Sequence, residues 1–374
     1  MIICACSGLS GGKHAFRLFQ RLRHNTKPLA HQPIWLQKST AGFSSSFIYE
    51  SKRKKSDATI TGEVKNPEDW TKIGRPSLRK RLGLYAKLSK SRLTGLVVLT
   101  AAAGYAIAPG PWDPLVFTGT ALGTMLCSSA ANSFNQFMEV PYDSQMSRTQ
   151  DRVLVRGLLR PIDCVTFGTT SGLLGVSTLA AFVNPLTATL GFLNIFLYAG
   201  VYTPSKRYHI ANTWIGAVVG AIPPLMGWAA CTGNLDFGAL TLAAILFSWQ
   251  FPHFNALSWN YRPDYSRAGY KMMSVTDPAL CRRNTLRHAL LQIPFAAMVS
   301  YLGVANWSFF VLSLPFNVYL SLLSWEFYKS SNNNTARKLF RFTLLHLPVL
   351  MFFMIICSRN TKSKELARNH LEVE

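Results

Sequence analysis

Asn135, Glu139 and Asp143 fall at positions i, i+4 and i+8 of the run Asn132-Ser-Phe-Asn-Gln-Phe-Met-Glu-Val-Pro-Tyr-Asp143. On a helix, that spacing puts one amide and two carboxylates on a single face. The run starts inside an apolar segment and passes directly into Ser144-Gln-Met-Ser-Arg-Thr-Gln-Asp-Arg-Val-Leu-Val-Arg156, which carries Arg148, Arg152 and Arg156. Ionisable groups in a membrane helix are costly to keep unless they bind something. Carboxylates beside guanidiniums therefore point to a metal ion and a phosphorylated ligand. Pro141 is expected to break the helix near that point, leaving the acids at the membrane boundary with water in reach. The plainer alternative is an interfacial acid pair satisfied by the neighbouring arginines.

A diphosphate near a membrane needs both a metal and cationic side chains. Mg²⁺ takes one or two carboxylates together with phosphate oxygens and water, and Asn135, Glu139 and Asp143 offer that set. Lys206 and Arg207, in Tyr202-Thr-Pro-Ser-Lys-Arg207, could clamp the phosphates, with Arg148, Arg152 or Arg156 adding charge. Charge that stabilises a departing diphosphate would help an allylic carbon ionise. An apolar bundle above would accept a hydrocarbon tail and keep water from a carbocation. Asp264, bracketed by Arg262 and Arg267, is either a further acid of this site or a helix cap or salt-bridge partner. His253, in Gln250-Phe-Pro-His-Phe254, either hydrogen-bonds a neighbouring helix or serves a macrocycle or a proton transfer.

The elements that must position these groups are membrane helices. Of the 374 residues, 49% are hydrophobic and only 15% charged, with a formal net charge of +22. A soluble nucleic-acid binder would interleave its basic residues through a folded domain. Here they lie outside long uncharged runs, as in an integral membrane protein with basic loops. Apolar segments near 93–109, 114–137, 165–183, 186–203, 212–230, 238–258, 287–304, 307–326 and 341–357 predict an all-α polytopic protein with nine transmembrane helices. Pro223-Pro224 and Pro252 are expected to kink the fifth and sixth, and Gly216 and Gly220 to permit close packing. The loops after even-numbered helices hold sixteen Lys or Arg and those after odd-numbered helices none. The positive-inside rule then places the three polar constellations on one face, the same side as the basic N-terminal region.

Residues 1–49 contain no Asp or Glu, and Phe16, Phe19 and Leu22 share a helical face apart from Arg17 and Arg21. An acid-free, Arg-rich amphipathic start of this kind matches a mitochondrial transit peptide. Residues 50–90 read as a polar basic linker outside any core, 91–358 as the membrane domain and 359–374 as a polar tail. The seven cysteines lack ligand spacing and imply no disulfide framework.

Asn135-Gln-x-x-Glu-x-x-x-Asp143 resembles the first aspartate-rich motif, N-D-x-x-D-x-x-x-D, of the UbiA-type intramembrane prenyltransferases. Tyr202-Thr-Pro-Ser-Lys-Arg207, the run from Ala211 to Trp228, Phe251-Pro-His-Phe254 and Asp264-Tyr-Ser-Arg-Ala-Gly269 are similar to the haem-farnesylating branch of that family, over roughly residues 80–350. The resemblance implies nine helices around a lateral cavity in the mitochondrial inner membrane, with the site facing the matrix. It implies transfer of farnesyl from farnesyl diphosphate to a vinyl group of haem B, giving haem O for the haem A pathway of cytochrome oxidase. The downstream haem A synthase would be a partner, and no nucleic acid is implied.

By the same resemblance Asn135, Glu139, Asp143 and Asp264 would serve Mg²⁺-diphosphate, with Lys206 and Arg207 on the phosphates. Gln136 and Glu139 stand where the wider family has aspartates, and Asp264 lacks a D-x-x-x-D partner. One or two Mg²⁺ are therefore expected, with arginines carrying more of the charge. No motif identifies the haem contacts, for which His253, Arg262 and Arg267 are the candidates. Two competing readings remain. A quinone-pathway prenyltransferase acting on an aromatic acid would show richer aspartate motifs. A secondary transporter would place its polar groups on broken helices near the bilayer midplane.

Overall fold

The computed structural model describes residues 77–373, with side chains through residue 358. The expected transit peptide and most of the expected linker lie outside the described residues. Among the described residues every regular element is helical. The first are α1 (Leu78–Leu88), α2 (Ser91–Ile107), α3 (Pro114–Asp143), α4 (Pro161–Phe182) and α5 (Pro185–Ile195), the last running through a π-helical stretch, Phe196–Tyr202, into α6 (Thr203–Tyr208). There follow α7 (Asn212–Thr232), α8 (Phe237–Asn260), the short α9 (Arg262–Arg267) and α10 (Met273–Thr276), α11 (Pro278–Leu290), α12 (Gln292–Tyr301), α13 (Trp307–Ser330) and α14 (Asn333–Val373). Each apolar segment read from the sequence lies on helix except the seventh, 287–304, which takes in only the end of α11 together with α12. Among the described residues, six helical stretches are long and apolar enough to cross a membrane by length and composition, and α2 is a shorter apolar helix.

Local sequence explains where these helices begin. Asp113 Oδ1 accepts from the amides of Leu115 and Val116 at 2.8 and 3.2 Å, Asn184 Oδ1 from Thr187 N at 2.8 Å, and Asp277 Oδ1 from Leu280 N at 2.9 Å. Each cap is followed by a proline, whose missing N–H costs nothing in a first turn. The seventh expected segment, 287–304, is instead divided between α11 and α12 around Leu291. Pro294 has no N–H to give the carbonyl four residues back, which accounts for the interruption. Pro223, Pro224 and Pro252 lie inside continuous helices.

α8 is the central strut. Every residue from Ser248 to Trp259 is buried, so its polar groups meet other helices and not lipid. α7 packs closely against it on one side and against α2 on the other. A Cβ at Gly220 would come within 2.1 Å of Gln250 Oε1, and one at Gly227 within 1.8 Å of the Ala101 carbonyl oxygen. Only glycine permits these approaches, as expected for Gly220. At the end of the bundle where α3 and α6 finish, Met146, Tyr198, Tyr202, Phe254, Tyr265, Tyr270 and Met272 form an aromatic-rich cap cluster.

Two expectations need correction. The linker reading through residue 90 does not hold for its last part. α1 is a helix, Leu88 is fully buried, and Lys90, in the left-handed region at φ 50°, turns the chain from α1 into α2. That corner is tied to α3. Gln136 Nε2 donates to the carbonyls of Leu88 and Lys87 at 2.6 and 3.3 Å, and Asn132 Nδ2 to that of Ser89 at 3.2 Å. Gln136 is thus committed to the end carbonyls of α1, which explains why a carboxylate is absent there: it could not donate to them. Gln136→Ala should lose about 1–2 kcal/mol of stability, visible as a lower unfolding midpoint in detergent. Pro141, in turn, does not stop α3, which continues to Asp143. A proline in the last turn removes only one backbone bond, and the extra residues keep Asp143 in line with Asn135 and Glu139.

Candidate active site

Asn135, Glu139 and Asp143 are all buried on one face of α3, at 1%, 4% and 0% exposure. Each acid is met by cations from other elements. Lys206 Nζ, on α6, donates to Glu139 Oε1 at 2.5 Å. Arg152, from the loop after α3, reaches Glu139 Oε2 at 3.3 Å and also bonds Asp143 Oδ2. Lys90 Nζ donates to Asn135 Oδ1 at 2.9 Å, and Asn135 Nδ2 donates to Thr203 Oγ1 at 3.1 Å. Two carboxylates and three cations from three chain segments therefore share one pocket, whose lining also includes Arg148, Tyr198, Phe254 and Tyr270.

Each position has a local cause. The π-helical stretch leads into Pro204, and α6 then presents Lys206 inward, its ammonium 4.5 Å from the Tyr202 ring centroid. The loop after α3 is held back onto the helix end by Thr149 Oγ1, which donates to the Asp143 carbonyl at 2.9 Å, and this places Arg152 beside both acids. The Tyr270–Lys271 segment is pinned to α6 through Lys271 N and the Lys206 carbonyl at 2.8 Å. It is pinned to α7 through Asn212 Nδ2 and the Lys271 carbonyl at 2.9 Å. Tyr270 is thereby buried beside Lys206, with a hydroxyl that has no hydrogen-bond partner among the described residues. Burial pushes its phenol above the ordinary tyrosine range, and Glu139 and Asp143 add to that, so it stays a neutral donor.

Among the described residues no three His, Cys, Asp or Glu side chains group closely enough to hold a metal ion. The donor set that exists is smaller and still suited to one. Among the described residues Asp143 Oδ1 is buried without a partner while its other oxygen is paired with Arg152. That oxygen fits a hard divalent cation that takes its remaining oxygens from a ligand, while both Glu139 oxygens and the Asn135 amide oxygen are held by Lys206, Arg152 and Lys90 and would have to exchange those partners to join it.

The other candidates are placed as follows. Arg148 lines the pocket, its Nη2 3.5 Å from the Tyr265 hydroxyl. Asp264 is buried next door and accepts from Ser147 Oγ at 2.6 Å and Arg267 Nη2 at 3.4 Å; it is not part of the pocket lining. Arg156 lies apart, 3.6 Å from Asp151 at an exposed position. Arg207 makes no ion pair with the acids among the described residues and lies over the Tyr142 ring at 4.4 Å. Arg262 covers Trp259 at 4.0 Å. His253 is buried between helices, its Nδ1 2.8 Å from Thr343 Oγ1 and its ring stacked on Trp249 at 4.6 Å, as an interhelical contact would be. Lys90 is hidden in sequence that reads as a basic linker, and Thr203 and Tyr270 carry no charge to single them out. The Gly269-Tyr270 step beside Asp264 was the one available signal.

Next to the polar pocket the bundle holds a small cavity of about 30 Å³, where Val97, Ala131, Tyr198, Val219 and Pro223 meet the polar side chains of Ser128, Asn132 and Asn194. Tyr198 belongs to the walls of both. Buried acids and cations gathered at one end of an apolar helical bundle are the setting of an intramembrane enzyme. The chain belongs to the UbiA prenyltransferase family, whose sequence profile matches residues 97–354. It is 46% identical over 364 residues to the human protein named "Protoheme IX farnesyltransferase, mitochondrial", a match covering 91% of this chain and 82% of that one. Among solved structures, a digeranylgeranylglyceryl phosphate synthase superposes with TM-score 0.65 at 14% identity, over 75% of this chain and 99% of its own. A UbiA homolog from Archaeoglobus fulgidus, described as bound to DMAPP and Mg2+, superposes with TM-score 0.53 at 12% identity, over 72% and 98%. These likenesses show the fold.

Proposed function

We propose that this prenyltransferase moves the farnesyl group of farnesyl diphosphate onto a vinyl group of protohaem IX, forming haem O in the mitochondrial inner membrane, with its site facing the matrix. The observation that carries the reading is the buried Glu139–Asp143 pair ringed by Lys206, Arg152 and Lys90. The name of the human relative and the DMAPP- and Mg2+-bound description of the archaeal homolog support the substrates and the metal. The one-sided distribution of Lys and Arg supports nine spans and the matrix orientation.

Asn135, Glu139 and Asp143 would hold one Mg²⁺ together with the diphosphate. When bound, the metal neutralises charge on the departing group. Lys206, Arg152 and Arg148 supply further positive charge at the pocket, and Lys90 steadies the Asn135 amide. The C1–O bond of farnesyl diphosphate breaks and diphosphate leaves. The vinyl π pair forms the new bond to C1, and the carbon next to the macrocycle, left electron-poor, takes up water and loses a proton. Burial of the acid pair within the bundle keeps bulk water from the allylic carbon until then.

The Tyr270 hydroxyl is a neutral donor without a protein partner, suited to an oxygen of the leaving diphosphate. Tyr270→Phe is expected to lower kcat about tenfold, the worth of one hydrogen bond made in the transition state. Single-turnover kinetics with saturating farnesyl diphosphate checks this.

The function is tested with membranes given farnesyl diphosphate, Mg²⁺ and either haem B or a 4-hydroxybenzoate acceptor. A new farnesylated haem, with no prenylated benzoate, is the expected result. Prenylated benzoate in place of farnesylated haem would replace this reading by the aromatic-acid alternative.

A further inference from the structure

The polar pocket has a second compartment. A groove of about 180 Å³ runs between the end of α3 and α6, lined by Met138, Tyr142, Arg207 and Tyr208, and it shares two wall residues, Glu139 and Tyr270, with the donor pocket. Its chemistry differs from that of its neighbour. Three tyrosine rings and a thioether make its surface aromatic and apolar. The one basic residue in its lining, Arg207, is exposed at the rim, stacked on Tyr142 and without a carboxylate among its described partners. The Tyr142 ring in turn lies 5.6 Å from that of Tyr270, so the aromatic lining is continuous from the rim to the shared wall.

We infer that this groove seats the acceptor, a flat tetrapyrrole dicarboxylate, with Arg207 binding a propionate. This rests on the acceptor proposed above. Protohaem carries its vinyl and propionate groups on opposite edges of one plane. A macrocycle lying on the tyrosines with a propionate at Arg207 therefore points its vinyl edge toward Glu139 and Tyr270, the wall behind which the diphosphate sits. A guanidinium on an aromatic ring keeps its N–H fork free for a carboxylate. Lys206 and Arg207 are adjacent in sequence yet serve the two substrates separately: Lys206 faces the acids and the donor, Arg207 the acceptor.

Haem binding without farnesyl diphosphate tests the assignment. The purified protein in detergent is titrated with haem B, and separately with haem B dimethyl ester, following the Soret band in wild type and Arg207→Gln. For haem B, Arg207→Gln should weaken binding at least tenfold, as expected for loss of a charge-assisted bond. The ester should bind both proteins equally and about as weakly as the free acid binds the variant. Equal ester binding also shows that the variant is folded, and Arg207→Lys should restore part of the affinity. The KM for farnesyl diphosphate should stay within twofold of wild type in Arg207→Gln.

Unchanged haem binding in the variant, an equal loss for acid and ester, or a raised KM for farnesyl diphosphate would overturn the inference. The last outcome would return Arg207 to the donor phosphates. Should wild type bind haem in this Arg207-dependent manner yet form no farnesylated product, the groove assignment stands and the proposed reaction falls.

Discussion

Asp143→Asn is expected to reduce farnesyl transfer by about 10²–10³-fold, the usual loss when one preorganised charge is removed from a site that stabilises a leaving anion. The substitution keeps the shape of the side chain and removes its charge. Asp143 is fully buried, holds Arg152 through one oxygen and leaves the other unpartnered. An asparagine whose amide oxygen accepts from Arg152 presents an NH₂ group, a donor, where Asp143 presents its second oxygen, and so offers no anionic ligand there. The KM for farnesyl diphosphate should rise with Mg²⁺ present, while haem binding in the groove stays near wild type. Transfer assayed over a range of Mg²⁺ concentrations checks this; activity within threefold of wild type would remove Asp143 from the site.

Arg152→Met should have its largest effect on stability. Arg152 is the only residue whose described ion pairs reach both carboxylates, and its side chain is 17% exposed. Removing it leaves two buried acids with Lys206 as the one remaining described salt-bridge partner, on Glu139. Breaking a buried pair from one side costs about 3–5 kcal/mol. A divalent cation can take over part of the lost neutralisation, so the variant should regain stability with Mg²⁺ to a greater degree than wild type. Thermal unfolding in detergent, with and without Mg²⁺, reads both effects. An unchanged midpoint, or equal Mg²⁺ responses, would show that Arg152 does not balance the acid pair.

Much of the bundle could be read in advance because its signals are local. Asp113-Pro114 and Asn184-Pro185 each open a helix near the start of an expected segment, whereas α11 opens at Pro278, well before the expected 287; the i, i+4, i+8 spacing of Asn135, Glu139 and Asp143 is realised on one face of α3. Reasoning from Pro141 alone placed the helix end slightly early, since the cost of a proline depends on how many turns follow it. α1 was missed because Lys-rich, weakly apolar sequence looks like a linker until Gln136 and Asn132 are seen to hold its last carbonyls. Lys90 was missed with it.

Around the pocket, the acids and Lys206 stand in short charged motifs that the fold brings together. Arg152 was one of three equivalent arginines until the fold selected it, by turning the loop back through Thr149. Arg207 and His253 both stand in the strings that carry the resemblance; in the fold Arg207 lies over the Tyr142 ring and His253 Nδ1 lies 2.8 Å from Thr343 Oγ1. Tyr270 carries no charge at neutral pH, and only three-dimensional neighbours give its hydroxyl a role.

Isotope transfer tests the central claim most directly. Purified wild type and Asp143→Asn would be incubated with haem B and deuterated farnesyl diphosphate, in Mg²⁺ or in EDTA, and the extracted haem analysed by mass spectrometry. The deuterated farnesyl group should appear on haem, together with one added water, only with wild type and Mg²⁺. Equal labelling of haem in EDTA or by Asp143→Asn, or label that never leaves the diphosphate, would contradict the account.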